Sequence, residues 1–231
     1  MNPLILHIET STEVCSIALS KGDLIIGYAE ADALMDHAAQ ITLLIEDCLA
    51  LAKCVAQDLD AISVSAGPGS YTALRIGASV AKGMCYALNK PLIAIDTLKM
   101  LAAAASTHFC FSESIIIPMI DARRMEVYTA FYDAAGETLK DLHSLIVENN
   151  SFDQFLDKNR IVILTGNAAE KCREVLGDSP NLIYFPLICT ARLMHVQALH
   201  QFNKGQFSDI ISFSPEYCKQ PNITTAKKIF S

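Results

Sequence analysis

Apolar and polar positions alternate along the chain in two distinguishable rhythms. Leu4–Glu9 is a nearly unbroken apolar run, and Val14–Ser20 and Asp23–Glu30 follow it across the polar turns Thr10–Glu13 and Lys21-Gly22. Short runs bounded by turn residues predict three strands. From His37 to Cys54 the apolar residues recur every three to four positions, the spacing of a helix. A strand (Leu59–Ala66), a helix (Ser70–Leu88), a strand (Pro91–Ile95) and a helix (Thr97–Ala105) complete a β-β-β-α-β-α-β-α order.

The second half writes the same order again. Ile115–Asp121, Glu126–Tyr132 and Thr138–Val147 read as strands, followed by a short helix near Phe152–Leu156 and a strand at Ile161–Thr165. A helix (Ala168–Leu176), a brief strand (Leu182–Phe185) and a helix (Ala191–Phe202) close it. An antiparallel meander continued through helical crossovers predicts a mixed sheet covered by helices. Two such units describe an α/β chain with the duplicated ribonuclease-H-like, actin-like ATPase (ASKHA) fold. The expected division is an N-terminal lobe over 1–105 and a C-terminal lobe over 106–188. A C-terminal helix and tail over 189–231 are expected to pack back on the first lobe.

With 52% of its residues apolar, the chain has ample material for a core. It contains no apolar run of about 18 residues and no basic leader before Glu9, so no membrane span or signal segment is expected and the location is read as cytoplasmic. The eight cysteines form no C-x-x-C pair and have no histidine at zinc-ligand spacing, which reads as buried thiols. A net charge of −7, with only Arg123-Arg124 and Lys227-Lys228 as adjacent cations, argues against a general nucleic-acid binder. Any contact with RNA is expected to be indirect.

The densest local signal is Ser65-Ala66-Gly67-Pro68-Gly69-Ser70-Tyr71-Thr72-Ala73-Leu74-Arg75-Ile76-Gly77. A buried strand ends, a tight turn follows, and Ser70 stands where it would cap the next helix. A strand-to-helix turn is a natural anion site. Yet no Gly-Lys-Ser/Thr follows, and Thr72 stands where a dinucleotide fingerprint needs its third glycine. The residues alone leave open an anion site or a plain tight connection.

This segment resembles the G-P-G-S-[FY]-T-G-L-R-I-G stretch of the bacterial TsaB (YeaZ) family. The resemblance continues in Ile8-Glu9-Thr10-Ser11-Thr12, Ala81-Lys82-Gly83, Lys90-Pro91-Leu92, Asp121-Ala122-Arg123-Arg124-Met125-Glu126-Val127-Tyr128 and Gly166-Asn167-Ala168. Glu9 stands for the family's Asp, Ala73 and Met125 for Gly, and Pro215-Glu216-Tyr217-Cys218-Lys219 only approximates P-x-Y-L-R. The resemblance implies an accessory subunit of the machinery making threonylcarbamoyladenosine beside the anticodon of certain tRNAs. It implies a TsaD-like catalytic paralogue as partner, a TsaE-like ATPase in the same machinery, and a homodimer when the partner is missing. No intrinsic cofactor is expected; ATP or ADP at a shared interface is left open.

The catalytic relative carries H-x-x-x-H after a strand that begins K-P-L, two imidazoles on one helix face able to hold a metal. The aligned positions here are Thr97 and Leu101, and the six histidines include no i, i+4 pair. Kinase-like members of the fold place an acid at the end of each lobe's first strand with glycines in the following turn. The acids are present as Glu9 and Asp121, but Ser11 and Arg123 follow where glycine is expected. Arg123 is read either as meeting a phosphate or partner carboxylate, or as pairing internally with Glu126 or a neighbouring acid. An autonomous nucleotide-dependent kinase or hydrolase using Glu9 and Asp121 is the alternative to a chain with no catalytic site of its own.

Two helices carry more apolar surface than one core face needs. Behind the stripe Ile41, Leu44, Ile45, Cys48 and Ala52, the first adds a second ridge of Ala39, Leu43, Ala50 and Cys54. The second adds Ile76, Val80, Gly83 and Ala87 opposite Leu74, Gly77, Ala78, Ala81, Met84, Cys85 and Leu88. Ala39, Leu43, Ala50, Ile76, Val80, Gly83 and Ala87 are therefore expected to form a partner interface. The competing expectation is that the C-terminal helix covers the second helix.

Overall fold

The computed structural model describes residues 2–31, 37–109, 111–156 and 160–218. The Lys227-Lys228 pair and the tail from 219 lie outside them. In chain order the elements are β1 (Leu4–Glu9), β2 (Ser16–Lys21), β3 (Leu24–Glu30), α1 (His37–Leu51), β4 (Ala61–Gly67), α2 (Tyr71–Leu88), β5 (Leu92–Asp96) and α3 (Thr97–Ser106). There follow β6 (Ile115–Asp121), β7 (Glu126–Asp133), β8 (Thr138–Ile146), α4 (Asp153–Leu156), β9 (Val162–Thr165), α5 (Ala169–Leu176), β10 (Leu182–Phe185) and α6 (His195–Asn203).

The two halves repeat one topology. The first sheet runs β3-β2-β1-β4-β5 and the second β10-β9-β6-β7-β8. In each, the first strand sits centrally, pairing antiparallel with the next strand and parallel with the one after the first helix. The central strands are the unbroken apolar runs, because both their faces are covered; β1 is buried at every position. The edge strand β8 is mostly exposed or half-buried. This is the duplicated two-lobe actin-like α/β fold expected from the sequence.

The two sheets share a core. Helix α3 packs on β4 and β5 from one sheet and on β6 and β9 from the other. One apolar cluster joins Ile5, Ile93 and Ile95 of the first sheet, Leu98 and Leu101 of α3, and Ile116, Ile120 and Ile163 of the second. Cys189, Ala191, Met194 and Ala198 complete it. The predicted helix over 191–202 is a 3-10 turn, Ala191–Met194, leading into α6. The turn is held where Ala191 N donates to Ser16 Oγ at 2.9 Å, and α6 lies on β5 and β1, not on α2.

An extended strap covers part of α2 instead. Ser208 bridges to Leu92 on β5, Lys82 Nζ donates to the carbonyls of Ile211 and Phe213, and Glu216 N donates to Ala66 O. Helix α1 ends three residues before the expected Cys54. Lys53 adopts a left-handed φ of 55° while Cys54 N bonds back to Leu49 O, a Schellman-type closure. Asn89 (φ 52°) closes α2 the same way, with Lys90 N on Cys85 O. The thiols of Cys48, Cys85, Cys172 and Cys189 are buried or nearly so, and burial pushes them upward, Cys85 to about 12. They behave as small core groups.

Candidate partner-binding face and the turns at the strand ends

Both acids proposed for nucleotide chemistry sit at the ends of central strands, in opposite environments. Glu9 is fully buried. Its Oε1 accepts the Ser11 N–H at 2.6 Å, its Oε2 has no hydrogen-bond partner among the described residues, and burial raises its carboxyl above the usual range. Asp121 is exposed and paired with Lys171. The internal ion pair anticipated for Arg123 is absent among the described residues: Lys171, remote in sequence, takes the carboxylate. Lys171 Nζ also donates to Arg124 O (2.9 Å) and Glu126 O (3.0 Å), so one ammonium satisfies the turn's own carbonyls.

The first turn is closed by the glycine-rich segment. Thr10 and Ser11 are fully buried, and Ser70 N donates to Ser11 O at 2.7 Å. A Cβ on Gly69 would lie 2.3 Å from Ser11 O, and one on Gly77 would lie 2.4 Å from Thr10 Oγ1. These glycines admit close packing of the chain on itself. Ser70 occupies the position before α2 but makes no side-chain cap bond, contrary to expectation. The Gly67–Pro68 peptide is cis, and the Glu216 carbonyl of the strap approaches Gly67. Arg75 donates to the Tyr71 hydroxyl at 2.8 Å, and the Tyr71 ring lies 4.5 Å from that of Tyr217.

A phosphate cradle is made of free backbone N–H groups. Here the Thr10 N–H goes to Ser65 Oγ and the Ser11 N–H to Glu9 itself. In the second lobe Asp121 N donates to Asn167 Oδ1 and Arg123 N to Asp121 Oδ1. The residues of these two turns therefore do not fit a nucleotide phosphate in the manner of kinase-like members of the fold. Among the described residues no group of three or more His, Cys, Asp or Glu is arranged to hold a metal, and no helix is long and apolar enough to cross a membrane.

The seven residues read as an interface lie on neighbouring helices. Helices α1 and α2 pack side by side on the first sheet. On α1, Ala39 and Ala50 are exposed and Leu43 is 52% exposed; on α2, Ile76 and Val80 are half-buried and Gly83 and Ala87 exposed. Around them are Tyr86, 84% exposed, and Leu51 and Val55, both also exposed. An open groove of about 550 Å³ runs beside α1, lined by Tyr28, Ala29, Glu30, Leu44, Asp47, Ala50 and Leu51. A Cβ on Gly83 would have no atom of the described residues within 4 Å, outside its own helix backbone. The structure thus gathers the predicted residues into three places: Glu9, Thr10 and Ser11 with Gly67–Ser70, Asp121 with Arg123 and Arg124, and the helical face. Lys171 and the Glu13–Asn167 bond, 3.0 Å and reaching between the lobes, were not signalled by local pattern.

The model of the TsaD family, tRNA N6-adenosine threonylcarbamoyltransferase, matches residues 31–225. The tRNA threonylcarbamoyladenosine biosynthesis protein TsaB of Bacillus subtilis is 30% identical over 176 residues, 75% of this chain and 75% of that protein. The chain belongs to the TsaB family. The Escherichia coli TsaB protein is 33% identical over 128 residues, which cover 55% of this chain and 54% of the E. coli protein. The YeaZ structure from Pseudomonas aeruginosa superposes with a TM-score of 0.77 at 24% identity, covering 93% of this chain and 99% of that one, and shares the fold.

Proposed function

We propose that this TsaB-family chain takes part in tRNA threonylcarbamoyladenosine biosynthesis as a partner subunit. It binds a TsaD-like catalytic paralogue through α1 and α2 and enables threonylcarbamoyl transfer to the adenosine beside the anticodon, with no catalytic site of its own. In the absence of that partner the same face pairs with a second copy of the chain. A TsaE-like ATPase acts in the same machinery.

One observation carries the reading: an apolar helical face that the described residues leave uncovered. Leu43 stands half out in solvent beside Ala39 and Ala50, and α2 shows Gly83 and Ala87 on its outer side. A bare glycine on an exposed helix face lowers helix stability, and among the described residues nothing lies within 4 Å of where its Cβ would be. It fits the close approach of another backbone. The internal use of the turn N–H groups at Glu9 and Asp121 supports the absence of nucleotide chemistry in the isolated chain.

Leu43→Glu and Ile76→Glu test this directly. Circular dichroism establishes that each variant is folded, and co-purification with the paralogue reads the interaction. Loss of co-purification by folded variants is expected. A folded Leu43→Glu chain that binds with unchanged affinity, or an isolated wild-type chain that turns over ATP, overturns the proposal.

A further inference from the structure

Two adjacent arginines occupy the tightest part of the β6–β7 turn. Arg123 and Arg124 both have left-handed backbone, with φ of 74° and 52°. Hairpins favour asparagine and glycine at such paired positions, because a Cβ is strained there. The turn does not need arginine for its own integrity. Ala122 N and Glu126 O close it at 3.1 Å, and Glu126 N donates to Arg123 O at 3.2 Å. Lys171 neutralises Asp121 and binds the carbonyls of Arg124 and Glu126. Both arginines are exposed, and among the described residues neither guanidinium has an ion-pair or hydrogen-bond partner.

A locally unfavourable residue choice on a turn pinned from below points to function. The backbone N–H groups of Asp121, Ala122, Arg123 and Glu126 already have acceptors within the chain, so the two guanidinium side chains are the donors this turn offers outward. Guanidinium forks suit phosphate oxygens bidentately. The turn belongs to the second sheet, whereas α1 and α2 pack on the first, so it is separate from the face offered to a protein partner.

We propose that Arg123 and Arg124 contact backbone phosphates of the tRNA while the chain is held in its complex. The inference rests on the reading that this chain works on tRNA with a TsaD-like paralogue. It departs from the expectation that contact with RNA is only indirect. The oxyanion is a phosphodiester on the outside of the second lobe.

The test uses the complete chain with its paralogue and unmodified tRNA as the probe, with binding followed by fluorescence anisotropy across a salt series. Two double variants are compared with wild type: Arg123→Asn with Arg124→Gly, and Arg123→Lys with Arg124→Lys. The Asn-Gly variant is expected to melt higher than wild type, to co-purify with the paralogue as before, and to bind tRNA about tenfold more weakly. Its slope of log affinity against log salt falls by roughly 1.5 to 2, the loss of two phosphate contacts. The lysine pair keeps the slope and recovers part of the affinity. Unchanged tRNA affinity and slope in the Asn-Gly variant overturn the inference alone. Lost co-purification with unchanged slope also overturns it, and assigns the arginines to a partner's carboxylates. A wild-type complex that binds no tRNA overturns both this inference and the reading beneath it.

Discussion

Replacing Gly83 with alanine separates folding from docking. The position lies well inside α2, and an added Cβ has no neighbour within 4 Å among the described residues, so the substitution meets no steric resistance from them. Alanine favours a helix interior over glycine by about 1 kcal/mol. That is equivalent to a rise in Tm of about 2–4 °C for a chain of this size. Differential scanning calorimetry on the isolated chain reads it. Gly83→Leu is then the docking probe, since its isobutyl group projects from the surface where the partner's backbone is proposed to approach. Calorimetric titration with the paralogue is expected to show affinity at least tenfold weaker, about 1.4 kcal/mol. An alanine variant that melts lower refutes the claim that no described residue crowds Gly83. A leucine variant that is folded and binds as wild type removes this face from the interface.

Three further predictions concern the interior. Gly77→Ala is expected to destabilise by about 1–3 kcal/mol in urea denaturation, because its Cβ would meet the buried Thr10 hydroxyl; an unaltered midpoint refutes the close packing described. His7 is fully buried between Ser63 Oγ (2.7 Å) and Ser20 Oγ (2.8 Å), and burial lowers its pKa to about 3. The unfolded chain therefore binds a proton below about pH 6.5 that the folded chain refuses until about pH 3. Across that window His7 removes stability as pH falls, by about 1.4 kcal/mol per unit, a slope that His7→Gln abolishes; equal slopes in the two proteins refute the assignment. Glu9 has the opposite sign: its raised pKa makes folding less favourable as pH rises above its unfolded value of 4.5. Glu9→Gln is expected to gain stability relative to wild type as pH rises above 4.5. A gain that does not grow with pH shows that Glu9 is not desolvated as described.

Local rhythm made the strands and helices legible because burial on one or both faces writes a short period into the chain. Ile115–Asp121 and Leu182–Phe185 fall where the apolar runs put them. The boundaries that slipped were decided by backbone geometry. Lys53 ends α1 in a left-handed conformation that nothing in its side chain advertises, whereas Asn89, a common residue in that conformation, was a readable stop for α2. The contacts that shape the candidate sites were less legible because they join residues far apart in sequence. Lys171 reaches Asp121 across 50 positions, and Lys82 reaches Phe213 across 131. Arg123 and Arg124 are visible in the sequence as an adjacent pair, but their left-handed φ values are not.

The shared core between the sheets bears on how such a subunit can act. Opening the lobes about α3 would carry Ile95, Leu98, Leu101, Ile120 and Met194 into water, at roughly 1.5–3 kcal/mol for each side chain fully exposed. A two-lobed protein that clamps and releases a ligand needs a hinge that swings cheaply. Here the two lobes share one core at α3, which suits the proposed partner subunit to the role of a splint.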